Sequence, residues 1–149
     1  MVVYSEELQQ RCFAFLDKEE AETLLTTMQR VCYAAGTVVF EKGAAADCMY
    51  FLHTGKVAVQ MKTGFGEKMQ VVALLDPGAP VGEKGLLGRR TRGATVVAVK
   101  DSELLVFPRE AFDILVEEAP ALIIKTLKWL LQRVSLRLEK SSERLTHVL

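Results

Sequence analysis

Seven short segments rich in β-branched and aromatic residues follow one another along the chain, and glycines separate many of them. They cover residues 31–33, 37–40, 49–52, 56–61, 68–75, 94–99 and 103–107. Many short strands joined by glycine turns are typical of a β-sandwich or a jelly-roll barrel. We therefore expect a β-sandwich or a double-stranded β-helix (jelly-roll) barrel over about residues 30–107.

Helical patterns precede this region. Ser5 is a candidate N-cap for a helix to about residue 15. Asp17, followed three residues later by Glu20, has the pattern of a capping box and predicts a second helix to about residue 28. Both stretches lack the alternation that marks a strand, so we expect the barrel to begin only after them.

Two further helices are predicted after the strands. Pro108 precedes a short helical stretch over 109–117, and Pro120 begins a long one to about residue 148. At 149 residues the chain has the size of one domain. The sequence therefore predicts a single mainly β domain over 1–149, with flanking helices and C-terminal helices over about 108–148.

Composition narrows the functional class. Half of the residues are hydrophobic, which is enough for a packed core. The 19 basic and 19 acidic residues cancel, whereas whole-domain nucleic-acid binding usually needs a basic surface. We find neither a signal peptide nor an apolar run long enough to span a membrane, and expect a cytoplasmic protein without membrane contact.

Cysteines and histidines give no indication of metal or catalytic chemistry. Cys12, Cys32 and Cys48 are widely spaced, and we expect them to be small buried side chains in a reducing compartment. Only His53 and His147 are present, too few for the histidine cluster of a cupin-type metalloenzyme. No nucleophile stands beside a base. We therefore expect no catalytic residues, no metal and no cofactor.

The segment from residue 81 to residue 96 carries the strongest functional signal. Glu83 and Arg92 are nine residues apart in a stretch that contains four glycines. Glycines let backbone N–H groups approach a ligand and form an anion-binding concavity. An arginine matches phosphate oxygens with its planar donors, and a carboxylate accepts hydrogen bonds from hydroxyl groups. Together they predict a site for a small molecule with one phosphate and one sugar.

This segment resembles the phosphate-binding cassette of cyclic-nucleotide-binding domains, whose pattern is roughly F-G-E-x-[AG]-L-L, a variable run, then R-x-A-[TS]-V. The resemblance implies that Glu83 holds the ribose 2′-hydroxyl and that Arg92 pairs with the cyclic phosphate. The other nucleotide-binding residues that it implies are Gly82, Gly85, Leu86, Gly93 and Ala94. Val81 replaces the usual Phe. Lys84 stands where the family usually has an apolar residue. Its side chain is either an exposed lysine or an extra cation near the phosphate.

The resemblance extends over about residues 10–145, because the order of helices, barrel, short helix and long helix also matches the family. One segment, from Gly64 to Glu67, is more similar to F-G-E than the cassette is. Nine residues after Glu67 stands Asp76, however, and no arginine motif follows. We expect a hairpin loop there.

Two features bear on the choice of nucleotide. In relatives that prefer cyclic GMP, the residue after the phosphate arginine is often a threonine, and here it is Gly93. This favours cyclic AMP as the ligand, with cyclic GMP less favoured. The run around Ser141 and Ser142 resembles the dimer helix of the catabolite-activator branch. There a Thr-Ser pair contacts the adenine amine, so the resemblance makes both serines candidate base contacts.

The last helix has a heptad-like apolar seam. Its members are Ile124, Leu127, Leu131, Val134, Leu138, Ser141, Leu145 and Val148. Such a seam indicates a parallel homodimer through this helix, and the alternative is a helix that packs the stripe on its own barrel. A helix of this length outreaches a small barrel, which favours the dimer.

The resemblance implies a cyclic-nucleotide sensor without catalytic activity. In the activator branch the long helix leads into a DNA-binding domain, whereas this sequence ends at Leu149. We therefore expect no direct DNA binding by this chain and a signal that passes to an unknown downstream protein. Leu86 is expected to repack near Phe112 when phosphate is bound and to move the long helix. The alternative is a dimeric interaction module of the same fold that no longer binds nucleotide.

Overall fold

A barrel of two four-stranded antiparallel sheets forms the centre of the computed structural model, which describes residues 2–62, 68–88 and 90–148. The strands are β1 (Gln29–Tyr33), β2 (Val38–Phe40), β3 (Ala45–Ala46), β4 (Cys48–Thr54), β5 (Val57–Lys62), β6 (Met69–Leu75), β7 (Pro80–Val81), β8 (Arg90–Thr91), β9 (Thr95–Ala98) and β10 (Ser102–Pro108). One sheet has the order β1-β10-β4-β7 and the other β2-β9-β5-β6, and β3 pairs with β8. The chain crosses repeatedly between the sheets, which confirms the predicted jelly roll.

In the described part of the chain, four helices flank the barrel: α1 (Glu6–Cys12), α2 (Lys18–Leu25), α3 (Arg109–Glu118) and α4 (Pro120–Val148). α1 ends about three residues before the predicted end. Its last N–H bond comes from Phe13, which donates to Gln9 O at 2.8 Å, and the fully buried Phe13 side chain turns the chain into the core. Tertiary packing therefore sets this boundary.

Three strands were not expected from the sequence: β3, β7 and β8. Each has two residues, which is too short for an alternating pattern to be read. The segment from Gly64 to Glu67, for which a hairpin loop was expected, lies outside the described residues.

The predicted capping box at the start of α2 is present. Asp17 accepts from the Glu20 N–H at 2.8 Å, and Glu20 accepts from the Asp17 N–H at 3.0 Å. Glu20 also accepts from Lys125 Nζ at 2.7 Å, so the start of α2 is linked to α4.

Asp17→Ala should lower the free energy of unfolding by about 1 kcal/mol, because the Glu20 N–H loses its acceptor. Urea unfolding followed by circular dichroism measures this change. Glu19→Ala, at an exposed first-turn position outside the box, is the matched control and should change stability less. Equal losses for the two variants would contradict a capping role.

Aromatic side chains join the helices to the barrel. The Phe13 and Phe51 rings have centroids 4.9 Å apart, and Trp129 of α4 stacks on Phe15 at 4.6 Å and on Phe51 at 5.5 Å. Trp129 is thus partly buried and packs against the core. This cluster fixes the first half of α4 against the barrel.

The second half of α4 has a different environment. The buried residues of α4 are Leu122, Ile123, Thr126 and Leu130, all in its first three turns. The apolar members of the predicted seam are all exposed: Ile124, Leu127, Leu131, Val134, Leu138, Leu145 and Val148. The stripe that packs on the barrel is therefore not the heptad seam. Among the described residues, the hydrogen bonds from beyond Leu130 to the barrel come from Arg137 and Arg144.

Candidate functional site

The predicted cassette begins with a 3-10 turn over Glu83–Leu86 that directly follows β7. Gly82 precedes this turn with a φ of +69°, in the left-handed region that favours glycine. A Cβ at residue 82 would lie 2.5 Å from Arg92 Nη1, and the Gly82 carbonyl accepts a hydrogen bond from the same nitrogen at 2.9 Å. Gly82 is thus needed both for the backbone conformation and for the close approach of Arg92.

Gly85 and Leu86 are the last two residues of the turn, and both are buried. A Cβ on Gly85 would be 1.8 Å from Cys48 O, so the turn presses directly on the backbone of β4. The Leu86 side chain is buried in the core cluster that the helices form with strands β4 and β10. Leu115 of α3 belongs to this cluster, and Phe112 of α3 packs against it. Neither residue lines the cavity described below, and both connect the cassette to the core.

Arg92 is a buried cation without a buried counterion. The residue is 4% exposed, and its Nη2 donates to Cys48 O at 2.8 Å. Its guanidinium carbon lies 4.2 Å from the Phe40 ring centroid. Arg92 Nε is buried without a hydrogen-bond partner, and no carboxylate of the described residues pairs with the guanidinium. A buried guanidinium without a counterion favours an anion at this place.

Glu83 pairs with Arg137 of α4, a residue that the sequence reasoning missed. The distance from Arg137 Nη1 to Glu83 Oε2 is 3.5 Å, and Arg137 Nη2 donates to Pro80 O. Burial lowers the pKa of Arg137, and the Glu83 carboxylate opposes that lowering. The ion pair joins residues 54 positions apart and links the cassette to α4.

These side chains, together with residues of β2, β5, β6, β7 and β9, surround a cavity of about 330 Å³. Its lining residues are Phe40, Val59, Met61, Leu75, Val81, Gly82, Glu83, Lys84, Arg92, Gly93, Ala94, Val96 and Arg137. Three cations and one carboxylate thus face an otherwise apolar space. Such a cavity suits an anion that carries a hydroxyl group and a flat apolar part, and its volume falls in the range of small-molecule sites, roughly 300–1,000 Å³.

A second groove, of about 400 Å³, lies between α2 and α3. Its lining includes Thr26, Ile114 and the carboxylates of Glu110 and Glu118, and among the residues that the structure describes no basic side chain lines it. The chemistry of a phosphate site is therefore found in the smaller cavity and not in this groove.

Ser141 and Ser142 are exposed on α4 and do not line the cavity in the structure. Ser141 stands one helical turn after Arg137, which does line it. The cassette residues and the two serines are therefore not brought together within one chain. The assignment of the serines to the base stays a prediction.

The cysteines differ from the expectation in one respect. Burial raises the pKa of the Cys12 thiol to about 12 and also raises that of Cys48, so both are unreactive. Cys32 is exposed, contrary to the prediction that all three are buried. It belongs to β1, an edge strand whose residues are exposed or only partly buried.

Two other features, a metal centre and a membrane-spanning helix, have no counterpart in the described ranges. No group of three His, Cys, Asp or Glu side chains in the described residues is placed to hold a metal ion. None of the helices in those ranges is both long enough and apolar enough to cross a lipid bilayer.

The sequence of this chain is similar to those of known proteins. Residues 30–119 match the model of the cyclic nucleotide-binding domain family. Over 121 residues the chain is 36% identical to the cyclic AMP receptor protein of Thermus thermophilus, with 81% of this chain and 55% of that protein covered. The chain thus spans about half the length of this relative.

Solved structures show the same fold. A cyclic nucleotide-binding domain from Methylobacillus flagellatus matches with a TM-score of 0.87 and 26% identity, covering 97% of this chain and 83% of that one. A structure from a cyclic-GMP-dependent signalling pathway of bacterial phytopathogenesis matches with a TM-score of 0.66 and 28% identity. That match covers 80% of this chain and 94% of the other.

Proposed function

Because the chain belongs to the cyclic nucleotide-binding domain family, we propose that it is a sensor that binds a cyclic nucleotide, preferably cyclic AMP, between Arg92 and Glu83 and catalyses no reaction. The observation that carries the proposal is the buried Arg92 guanidinium, which faces an apolar cavity without a carboxylate partner among the described residues. A cyclic phosphate supplies the missing negative charge and an acceptor for the Arg92 donors.

The remaining parts of the ligand fit the other walls of the cavity. Glu83 accepts a hydrogen bond from the ribose 2′-hydroxyl, and the apolar side chains of Val59, Met61 and Leu75 offer a surface for the base. Gly93 has no side chain that could bond to the amino group of guanine, which supports adenine. Ser141 and Ser142 contact the base when α4, or α4 of a second chain, approaches the cavity.

Ligand binding is coupled to the helices through two contacts. A ribose hydroxyl would share the Glu83 carboxylate with Arg137, whose Nη1 lies 3.5 Å from Glu83 Oε2, so the ligand acts on the ion pair that links the cassette to α4. Leu86 moves with the cassette and shares its core cluster with Phe112 of α3. Binding thus shifts the equilibrium between different orientations of α4, and a downstream protein binds differently to the two forms.

Arg137→Met should uncouple α4 from the cassette. In the wild-type chain, we expect cyclic AMP to change amide hydrogen exchange in the second half of α4. In the variant that change should be lost, while binding weakens by no more than about tenfold, since Arg92 and Glu83 are retained. Arg144→Met, whose side chain bonds to Val72 O outside the cavity, is the matched control. An unchanged exchange response in Arg137→Met would contradict the coupling.

The exposed seam of α4 supports a homodimer. Leu131 and Leu138 are 68% and 67% exposed in the single chain, although the seam has the spacing of a parallel coiled coil. A second copy would cover these side chains and remove their apolar surface from water.

Isothermal titration calorimetry with cyclic AMP and cyclic GMP, together with sedimentation of the same samples, tests the function. We expect binding of both, tighter for cyclic AMP, and a dimeric mass. Ligand at 100 times its dissociation constant should add about 2.7 kcal/mol of stability. If neither nucleotide binds at millimolar concentration and stability does not change, the sensor proposal is wrong. A dimeric interaction module would then be the better description.

A further inference from the structure

Lys84 has an unusual place in the cassette. Lys84 is exposed to solvent, yet its side chain lines the cavity and extends to Gly93. A Cβ built on Gly93 would lie 2.8 Å from Lys84 Nζ and 3.8 Å from Lys84 Cε. The ammonium group therefore occupies the space that a side chain at residue 93 would need.

Neither residue has another evident reason for this arrangement. Gly93 is not among the glycines with positive φ, so its backbone does not require glycine. Among the described residues, Lys84 pairs with no carboxylate, and the neighbouring Glu83 carboxylate pairs with Arg137. The amine thus lies beside Gly93 without a carboxylate partner among the described residues.

We propose that Lys84 and Gly93 are a matched pair in which the absent side chain of residue 93 lets Lys84 act as a second cation for the ligand phosphate. This inference rests on the proposed binding of a cyclic nucleotide in the same cavity.

The two cations have different physical roles. Arg92 is buried and fixed by Gly82 O and Cys48 O, so it sets the position of the phosphate. Lys84 is exposed at the mouth on a flexible stem and acts as a point charge. Its contribution should therefore depend on ionic strength more strongly than that of Arg92, because exposed charges are screened by salt.

The test is a titration of the wild-type chain and Lys84→Met with cyclic AMP at low and at physiological ionic strength. We expect Lys84→Met to bind about threefold to tenfold more weakly and to show a smaller salt dependence. Lys84→Arg should restore most of the affinity because it retains the charge. Lys100→Met, which removes an exposed lysine outside the cavity, is the matched control and should bind as the wild type does.

A double-mutant cycle tests the pairing itself. Gly93→Ser should weaken binding in the wild-type background, since its Cβ displaces Lys84 Nζ. In the Lys84→Met background the same change should have little or no further effect, because the displaced amine is already absent. Equal losses for Gly93→Ser in both backgrounds would overturn the pairing.

The outcomes separate this inference from the function on which it rests. If the wild-type chain binds cyclic AMP and Lys84→Met binds equally well at both ionic strengths, Lys84 is only a surface lysine and this inference is wrong. If the wild-type chain binds neither cyclic AMP nor cyclic GMP, the proposed function fails and this inference fails with it. Thermal unfolding of each variant shows that a loss of affinity does not reflect a loss of folded protein.

Discussion

Replacing Arg92 with alanine is expected to weaken cyclic AMP binding by about 1.5–3 kcal/mol, or roughly tenfold to 150-fold. The guanidinium is the buried cation of the cavity, and its loss leaves the phosphate without its main donor. Truncation also opens the space beside Phe40, on which the guanidinium stacks. Isothermal titration calorimetry measures the change directly.

The same substitution should have little effect on folding, which distinguishes a binding role from a structural one. Arg92 is buried without a carboxylate partner among the described residues, and its Nε has no hydrogen-bond partner, so its removal also relieves an unfavourable burial. Arg92→Lys keeps a charge but not the planar fork, and should bind with intermediate affinity. If Arg92→Ala unfolds the chain or binds normally, the assignment of Arg92 to the phosphate is wrong.

Gly85→Ala should destabilise the fold by about 3 kcal/mol or more, at the upper end of the range for overpacked sites. The new Cβ would lie 1.8 Å from Cys48 O and 2.4 Å from the Cys48 carbonyl carbon. These are backbone atoms of β4 and cannot turn aside as a flexible side chain can. Urea unfolding measures the loss, and binding should weaken in parallel because the turn that carries Glu83 is displaced.

Gly93→Ala provides the comparison for this prediction. Neither Gly85 nor Gly93 is among the glycines with positive φ, and the Cβ of residue 93 meets only the flexible end of Lys84. Its effect on stability should therefore be small. If both alanine variants lose the same stability, the close approach of the cassette turn to β4 does not explain the need for glycine at residue 85.

Local patterns explain why much of the fold was predictable from the sequence. The long strands, the capping box of Asp17 and Glu20, and the start of α4 at Pro120 are all determined by residues close together in sequence. Glu83 and Arg92 could be proposed as candidate site residues for the same reason, since both lie within one short motif. The structure places both on the wall of one cavity.

Contacts between distant residues could not be predicted in the same way. Arg137 reaches Glu83 only because the aromatic cluster around Trp129 holds α4 beside the barrel. In sequence, Arg137 is one of many charged residues on a long helix. The contact of Gly85 with Cys48 likewise depends on the pairing of β4 with β7, and a strand of two residues leaves no pattern.

The buried residues of α4 all lie in its first half, so a small rotation about that packed part produces a larger displacement at the far end of the helix. Val148 lies 18 residues beyond the last buried residue, Leu130, which corresponds to roughly 27 Å along the helix. A rotation of about 10° around Leu130 would therefore displace Val148 by about 5 Å, whereas Arg137, about 10 Å from the pivot, would move by less than 2 Å. A change small enough to be made within the Glu83 ion pair is thus amplified into a displacement on the scale of a side chain at the far end of the molecule.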